Sequence, residues 1–164
     1  MKILVAYASK HGATTGIAEA IGRRLTELGH VAEVREVDDV ADAARYDAVV
    51  LGSAVYAGSW RDDAVAFARL HEAALLTRPV WLFSSGPLGE QVIDEQQQPK
   101  QIAALTTALA PKDHRVFFGA LDREQLGFGE RMLVKAVKAP DGDFRDWDDI
   151  RTWADEIAGQ LVGV

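Results

Sequence analysis

Residues 9 to 15 read SKHGATT and follow directly on the apolar run KILVAYA of residues 2 to 8. Three hydroxyls, on Ser9, Thr14 and Thr15, surround a glycine, Gly12, just ahead of a helical pattern. Hydroxyls donate hydrogen bonds, glycine lets backbone N–H groups turn inward, and a helix N-terminus carries partial positive charge. Together these suit an anion. Charge-assisted hydrogen bonds contribute about 1.5–3 kcal/mol each, so a few of them anchor a phosphomonoester without a lysine. The same hydroxyls also serve as helix caps, and the stretch alone leaves both readings open.

The commoner nucleotide loops do not match. No G-x-x-x-x-G-K-[ST] loop occurs, which disfavours ATP, and Gly12 and Gly16 lack the third glycine of a dinucleotide fingerprint. Glu36 stands where a ribose-binding acid is expected, but an acid ending a strand is common.

Two further stretches offer room for a flat ring. In GSAVYAGSW, residues 52 to 60, Tyr56 and Trp60 flank Gly58, so two aromatics bracket a point of close backbone approach. Either aromatic taken singly is also explained by packing at the lip of a sheet. In FSSGPLGEQVIDEQQQPK, Ser84, Ser85, Gly86, Pro87 and Gly89 suit backbone contact with a planar edge, and equally any strand-to-helix turn.

Side-chain catalysis and metal binding find little support, and no catalytic or metal-ligating residue is assigned. His11, His30, His71 and His114 are scattered, and none is paired with an acid at ligand spacing. Ser84 and Ser85 have no evident histidine partner and no G-x-S-x-G elbow. The acid pairs Asp38/Asp39, Asp62/Asp63 and Asp148/Asp149 stand near expected helix starts, where capping explains them.

The elements that position these loops follow from hydrophobic periodicity. Strands are expected over Lys2 to Ala8, Val31 to Val37, Asp47 to Ser53, Pro79 to Ser85 and Arg115 to Leu121. Three of these runs are continuous rather than alternating and are expected at the centre of a sheet covered on both faces. Helical stripes lie between them. Ile17, Ile21, Leu25 and Leu28 share one face and Gly29 ends that helix. A second helix runs from about Asp62 to Leu76, a third opens at Pro99, and a fourth carries Ile150, Trp153, Ile157 and Leu161. Residues 38 to 46 read as a short helix or a loop. Strands alternating with helices predict an α/β fold, a doubly wound five-stranded parallel sheet in the order 2-1-3-4-5. Its ligand lies beyond the carboxyl ends of the strands at the switch point. The loops to inspect are then 9–15, 53–61 and 84–98.

Composition bounds the partners. The chain has 164 residues, 48% apolar and 26% charged, which fits one domain spanning 1–164. A net charge of −7 speaks against nucleic acid, whose binding rests on clustered Lys and Arg. The absence of cysteine removes disulfides, iron–sulfur clusters and thiol nucleophiles, so redox chemistry requires an organic cofactor. The six-residue apolar run near the N-terminus is too short for a signal-peptide core, so a cytoplasmic location is expected.

The pattern resembles the flavodoxin family, which holds FMN with three loops at these places, and the resemblance covers essentially the whole chain. Its most specific part is Ser9-x-x-Gly12-x-Thr14-Thr15. Carried over, it implies that Ser9, Lys10, His11, Gly12, Ala13, Thr14 and Thr15 hold the phosphate. Tyr56, Ala57, Gly58 and Trp60 would line one side of the isoalloxazine, and Ser85, Gly86, Pro87 and Gly89 its other edge. Within that superfamily the chain is similar to the branch containing menaquinone-dependent protoporphyrinogen IX dehydrogenase. The residues concerned are the step from Gly52 to Gly58, the run Phe118 to Leu121, an insertion at about 122–147 and Trp147 before the last helix.

In the insertion Met132, Leu133, Ala136 and Val137 share a helical face, while Arg131, Lys135 and Lys138 recur along it. That face suits a quinone, porphyrin carboxylates, peripheral membrane contact through 129–138, or packing on the domain. The insertion departs from that branch in carrying six acids against five bases. The resemblance thus implies an FMN-dependent oxidoreductase with a quinone as acceptor, serving a porphyrin-type substrate. The alternatives are a flavodoxin-type carrier between redox proteins and a module without cofactor.

Overall fold

The computed structural model describes residues 1–10, 12–56, 58–86, 99, 101–121, 142–143 and 145–163. Five parallel strands form the sheet: β1 (Lys2–Ala8), β2 (Val31–Glu36), β3 (Ala48–Tyr56), β5 (Val80–Ser85) and β6 (Asp113–Phe117). Their order is β2-β1-β3-β5-β6, with the short β4 (Ser59–Trp60) turned back antiparallel on β3. With β4 set aside this is the expected 2-1-3-4-5 winding. The continuous apolar strands β1, β3 and β5 occupy its centre, while the edge strand β2 carries charges and is half open to solvent.

The period of two divides each central strand between two cores. Ile3, Val5 and Tyr7, with Ala48, Val50, Trp81 and Phe83, face the layer of α1 (Ala13–Glu27) and the C-terminal helix α5 (Trp147–Val162). Leu4, Ala6, Val49, Leu51, Val80 and Leu82 face α2 (Asp62–Leu70), α3 (Glu72–Leu75) and α4 (Ile102–Leu109). Trp153 anchors the first layer, edge-on to Phe117 at 5.5 Å, with its indole N–H donated to Asp113 at 2.9 Å. Such aromatic pairs add to area burial because ring edges meet ring faces.

Several boundaries differ from expectation. β3 runs on to Tyr56, and β4 was not anticipated because two residues leave no periodic signal. The helix after Ser59 is interrupted at His71, whose ψ of 15° leaves the helical range. Residues 37–39 and 43–45 form two single turns of 3₁₀ helix. The expected strand Arg115 to Leu121 divides. Its first part pairs with β5, while β7 (Ala120–Leu121) leaves the sheet to pair with β8 (Gly142–Asp143). Gly119 at the division lies so close to Gly86 that a Cβ would stand 3.3 Å from its Cα. Of the expected insertion, 122–141 lies outside the described residues. No helix among the described residues is long and apolar enough to cross a membrane.

One cluster makes stability depend on acid. Glu33 accepts hydrogen bonds from the Tyr46 phenol at 2.6 Å and from Arg35 at 3.2 Å, with Lys2 Nζ at 3.4 Å. The phenol first and Arg35 second hold its carboxyl down to about 2. A carboxyl depressed in the folded state contributes stability that is present above its unfolded value. That contribution is lost as pH falls from about 4.5 through about 2. Thermal midpoints measured across that window are expected to fall less steeply in Tyr46→Phe. Added salt, which screens exposed pairs, is expected to act in the same direction.

Candidate functional site

The parallel register brings three strand ends level: Ala8 stands opposite Ser53, and Ala54 opposite Ser85. The loops that leave β1, β3 and β5 therefore meet at one edge of the sheet.

In the first loop Gly12 takes a φ of 88°, which a side chain would oppose, and forms the N-cap of α1. Its N–H is donated to Ser9 Oγ at 3.1 Å. No described side chain caps α1, so the hydroxyls do not serve as the helix cap that the sequence left open. The N–H groups of the first turn consequently point outward at the positive end of the helix dipole. No acid stands in that turn, whereas α2 begins with Asp62 and Asp63 and α5 carries Asp148 and Asp149. A Cβ placed on Gly12 would meet no atom of the described residues within 4 Å. Thr14 is buried. The Tyr7 phenol lies within electrostatic reach of the Thr15 hydroxyl, and burial pushes its pKa up. Tyr7 thus sets β1 beside the loop, a role its place in an apolar run does not announce.

In the second loop the chain turns at Gly58 with φ of 77°, and no atom of the described residues lies within 4 Å of where a Cβ would stand. Tyr56 is half-buried, and Lys10 Nζ lies 5.1 Å from its ring centroid, joining the first loop to the second. Trp60 points the other way. It is 2% exposed, its N–H is donated to Gln101 Oε1 at 3.0 Å and its indole N–H to Ser84 Oγ at 2.7 Å. The pair of aromatics expected to bracket a ring is therefore split: Tyr56 stays at the mouth and Trp60 enters the core facing α2. A cleft of about 490 Å³ opens beside this turn, and although the Trp60 indole is turned inward the residue still contributes to the lining with Tyr56, Ser59, Arg61, Asp62 and Asp63.

Ser84 does have a histidine partner, contrary to expectation: its Oγ lies 2.7 Å from His114 Nε2, across the β5–β6 pairing. Burial pushes the His114 pKa down, and its Nε2 shares a hydrogen bond with Ser84 Oγ while Ser84 accepts from the Trp60 indole. Ser84 is fully buried, so this chain of hydrogen bonds holds β4 against the sheet and offers no nucleophile to a substrate.

The third loop starts at Ser85 and Gly86. The Gly86 N–H is donated to Phe117 at 3.3 Å, and a Cβ on Gly86 would lie 2.8 Å from the Val55 carbonyl oxygen. Only glycine permits that approach between the second and third loops. Ser9, Lys10, Gly12, Ala13, Thr14, Thr15, Tyr56, Gly58, Ser85 and Gly86 are thus gathered at one edge, while His11, Ala57, Pro87 and Gly89 lie outside the described residues. Besides Tyr7, periodicity did not single out Ser53 or Gln101. Ser53 accepts the Arg61 N–H at 3.0 Å across the turn of its own segment, and Gln101 pins the turn from outside it.

Comparison with known proteins agrees with this geometry. The family model described as a flavodoxin domain matches residues 4–148. A protoporphyrinogen IX dehydrogenase [quinone] of Escherichia coli K12 is 24% identical over 96% of this chain and 95% of its own. A flavodoxin of Nitratidesulfovibrio vulgaris is 28% identical over 97% of this chain and 98% of its own. The solved structure of a flavodoxin from Streptococcus pneumoniae TIGR4 superimposes with a TM-score of 0.63 at 17% identity, covering 98% of this chain and 99% of that one. From the winding of the sheet, the three convergent loops and the family match across most of its length, the chain belongs to the flavodoxin-domain family, whose cofactor is FMN.

Proposed function

We propose that this chain is an FMN-dependent oxidoreductase that dehydrogenates a porphyrinogen-type substrate and passes the electrons to a quinone. The observation that carries the cofactor half is the acid-free first turn of α1, capped by no described side chain and opening beside Gly12, where a Cβ would meet no described atom within 4 Å. That turn fits a phosphate, and the bend at Gly58 beside Tyr56 fits a flat ring. When bound, FMN supplies two-electron redox chemistry that no side chain of this cysteine-free protein provides. Ser9, Gly12, Ala13, Thr14 and Thr15 hold the phosphate. Tyr56 and Gly58 border the ring on one side, and Ser85 and Gly86 border it on the other.

The substrate half is supported by end-to-end similarity to a protoporphyrinogen IX dehydrogenase. Gly119, just ahead of the β7–β8 pairing, also lies against Gly86 beside the cofactor loops. A second reading, an electron carrier for basic redox proteins, is supported by the net charge of −7 and by similarity to a flavodoxin.

Purified protein loaded with FMN is expected to retain close to one flavin per chain by its visible spectrum. It is then expected to turn over protoporphyrinogen IX with a quinone. Failure to retain flavin would sink both readings. Retained flavin with salt-sensitive electron exchange to a redox protein, and no porphyrinogen turnover, would leave the carrier.

A further inference from the structure

We propose that Arg145 is a positioning residue for the phosphate end of FMN, acting through the first turn of α1; this rests on the FMN reading above. Arg145 follows β8, far from the first loop in sequence. Its Nε and Nη2 are donated to the two carboxylate oxygens of Asp143 at 2.9 and 2.7 Å, and its backbone N–H to the same carboxylate at 3.1 Å. The remaining nitrogen, Nη1, reaches the carbonyl oxygen of Ala13 at 3.4 Å, and the guanidinium lies 4.7 Å from the Trp147 ring centroid. The side chain is only 19% exposed. A two-pronged guanidinium–carboxylate pair fixes direction as well as distance, which a flexible ammonium does not.

The seat for this side chain is cut into α1 itself. A Cβ on Gly16 would stand 2.6 Å from Arg145 Nη1 and 3.5 Å from the Trp147 ring. Glycine is a poor residue for the first turns of a helix, and here it makes room for the guanidinium. The charge is also of the wrong sign for the helix alone: a cation beside a helix N-terminus is unfavourable, and Asp143 offsets only part of it. An anion bound over Gly12 to Thr15 reverses that balance. The brace therefore holds the loop in the shape its ligand requires and links it, through Asp143, to the β7–β8 pair.

Gly16→Ala separates positioning from general support. Alanine is the better helix former, and the clash falls on the far end of a long side chain, so the apo-protein's thermal midpoint is expected to hold or rise. Its FMN dissociation constant is expected to rise about tenfold, while that for riboflavin stays within about twofold. Arg145→Ala is expected to show the same discrimination, and Arg145→Lys not to rescue it. Wild-type FMN affinity in Gly16→Ala and Arg145→Ala, or equal weakening of FMN and riboflavin, would overturn the proposal. A wild-type protein that binds riboflavin as tightly as FMN would instead overturn the phosphate assignment. Should Arg145→Ala fail to fold, Gly16→Ala decides alone.

Discussion

Replacing Thr14 and Thr15 together with alanine is expected to weaken FMN by about tenfold or more, while riboflavin weakens by less than about fivefold. A charge-assisted hydrogen bond from Thr15 at about 1.5–3 kcal/mol amounts to at least that factor, the buried Thr14 shapes the turn beneath it, and only FMN presents the phosphate that receives the bond. The two threonines are not equivalent in the structure. Thr14 is 1% exposed, whereas the Thr15 hydroxyl lies within electrostatic reach of the Tyr7 phenol. Tyr7→Phe removes the phenol and leaves both threonine hydroxyls in place. It is expected to cost FMN about tenfold or less, and the difference measures how much of the threonine effect is orientation. Flavin fluorescence titration of the three proteins reads all of this. Equal weakening of FMN and riboflavin in the double variant would place the phosphate elsewhere.

Gly52→Ala is expected to destabilise the protein by about 3 kcal/mol, the upper end of what overpacking a well-filled core costs. Gly52 of β3 stands opposite Phe83 of β5, and a Cβ there would lie 2.0 to 2.3 Å from three ring atoms. The ring cannot retreat: Phe83 is fully buried, with Phe117 and Trp153 each 6.1 Å from it. The added methyl must instead push β3 and β5 apart, and these strands carry the second and third loops. Urea unfolding should show a lowered midpoint with an unchanged slope. Combining Gly52→Ala with Phe83→Leu should recover part of the loss. A midpoint equal to wild type would mean that the sheet is looser here than its packing indicates.

Gly52 also illustrates how sequence and structure divide the explanation. The step from Gly52 to Gly58 entered as part of a family resemblance, which names both glycines without saying what either does. In the fold they answer different demands. Gly52 is small because an aromatic ring lies flat against it, and Gly58 is glycine because the chain turns there with positive φ. Trp60 shows the opposite case. Next to Gly58 and Tyr56 it read as half of a ring-binding bracket, but β4 turns its indole inward to Ser84. A two-residue strand has no periodicity from which to assign a face, so this was beyond the reach of pattern.

The sequence by itself determined the winding of the sheet, the central place of β1, β3 and β5, and the position of the first loop at the mouth of α1. These follow from local causes: apolar runs of strand length, helical stripes and glycine at turns, each acting within a few residues. Only the tertiary structure decided what braces the loops. Tyr7 with Thr15, Gln101 with Trp60, His114 with Ser84, and Arg145 with Ala13 and Gly16 join residues 8 to 132 positions apart. Such contacts depend on how helices and strands stack, and no local pattern encodes them. The loops that meet the ligand were legible because their chemistry is written in consecutive residues; the supports that give them shape come from elsewhere in the chain.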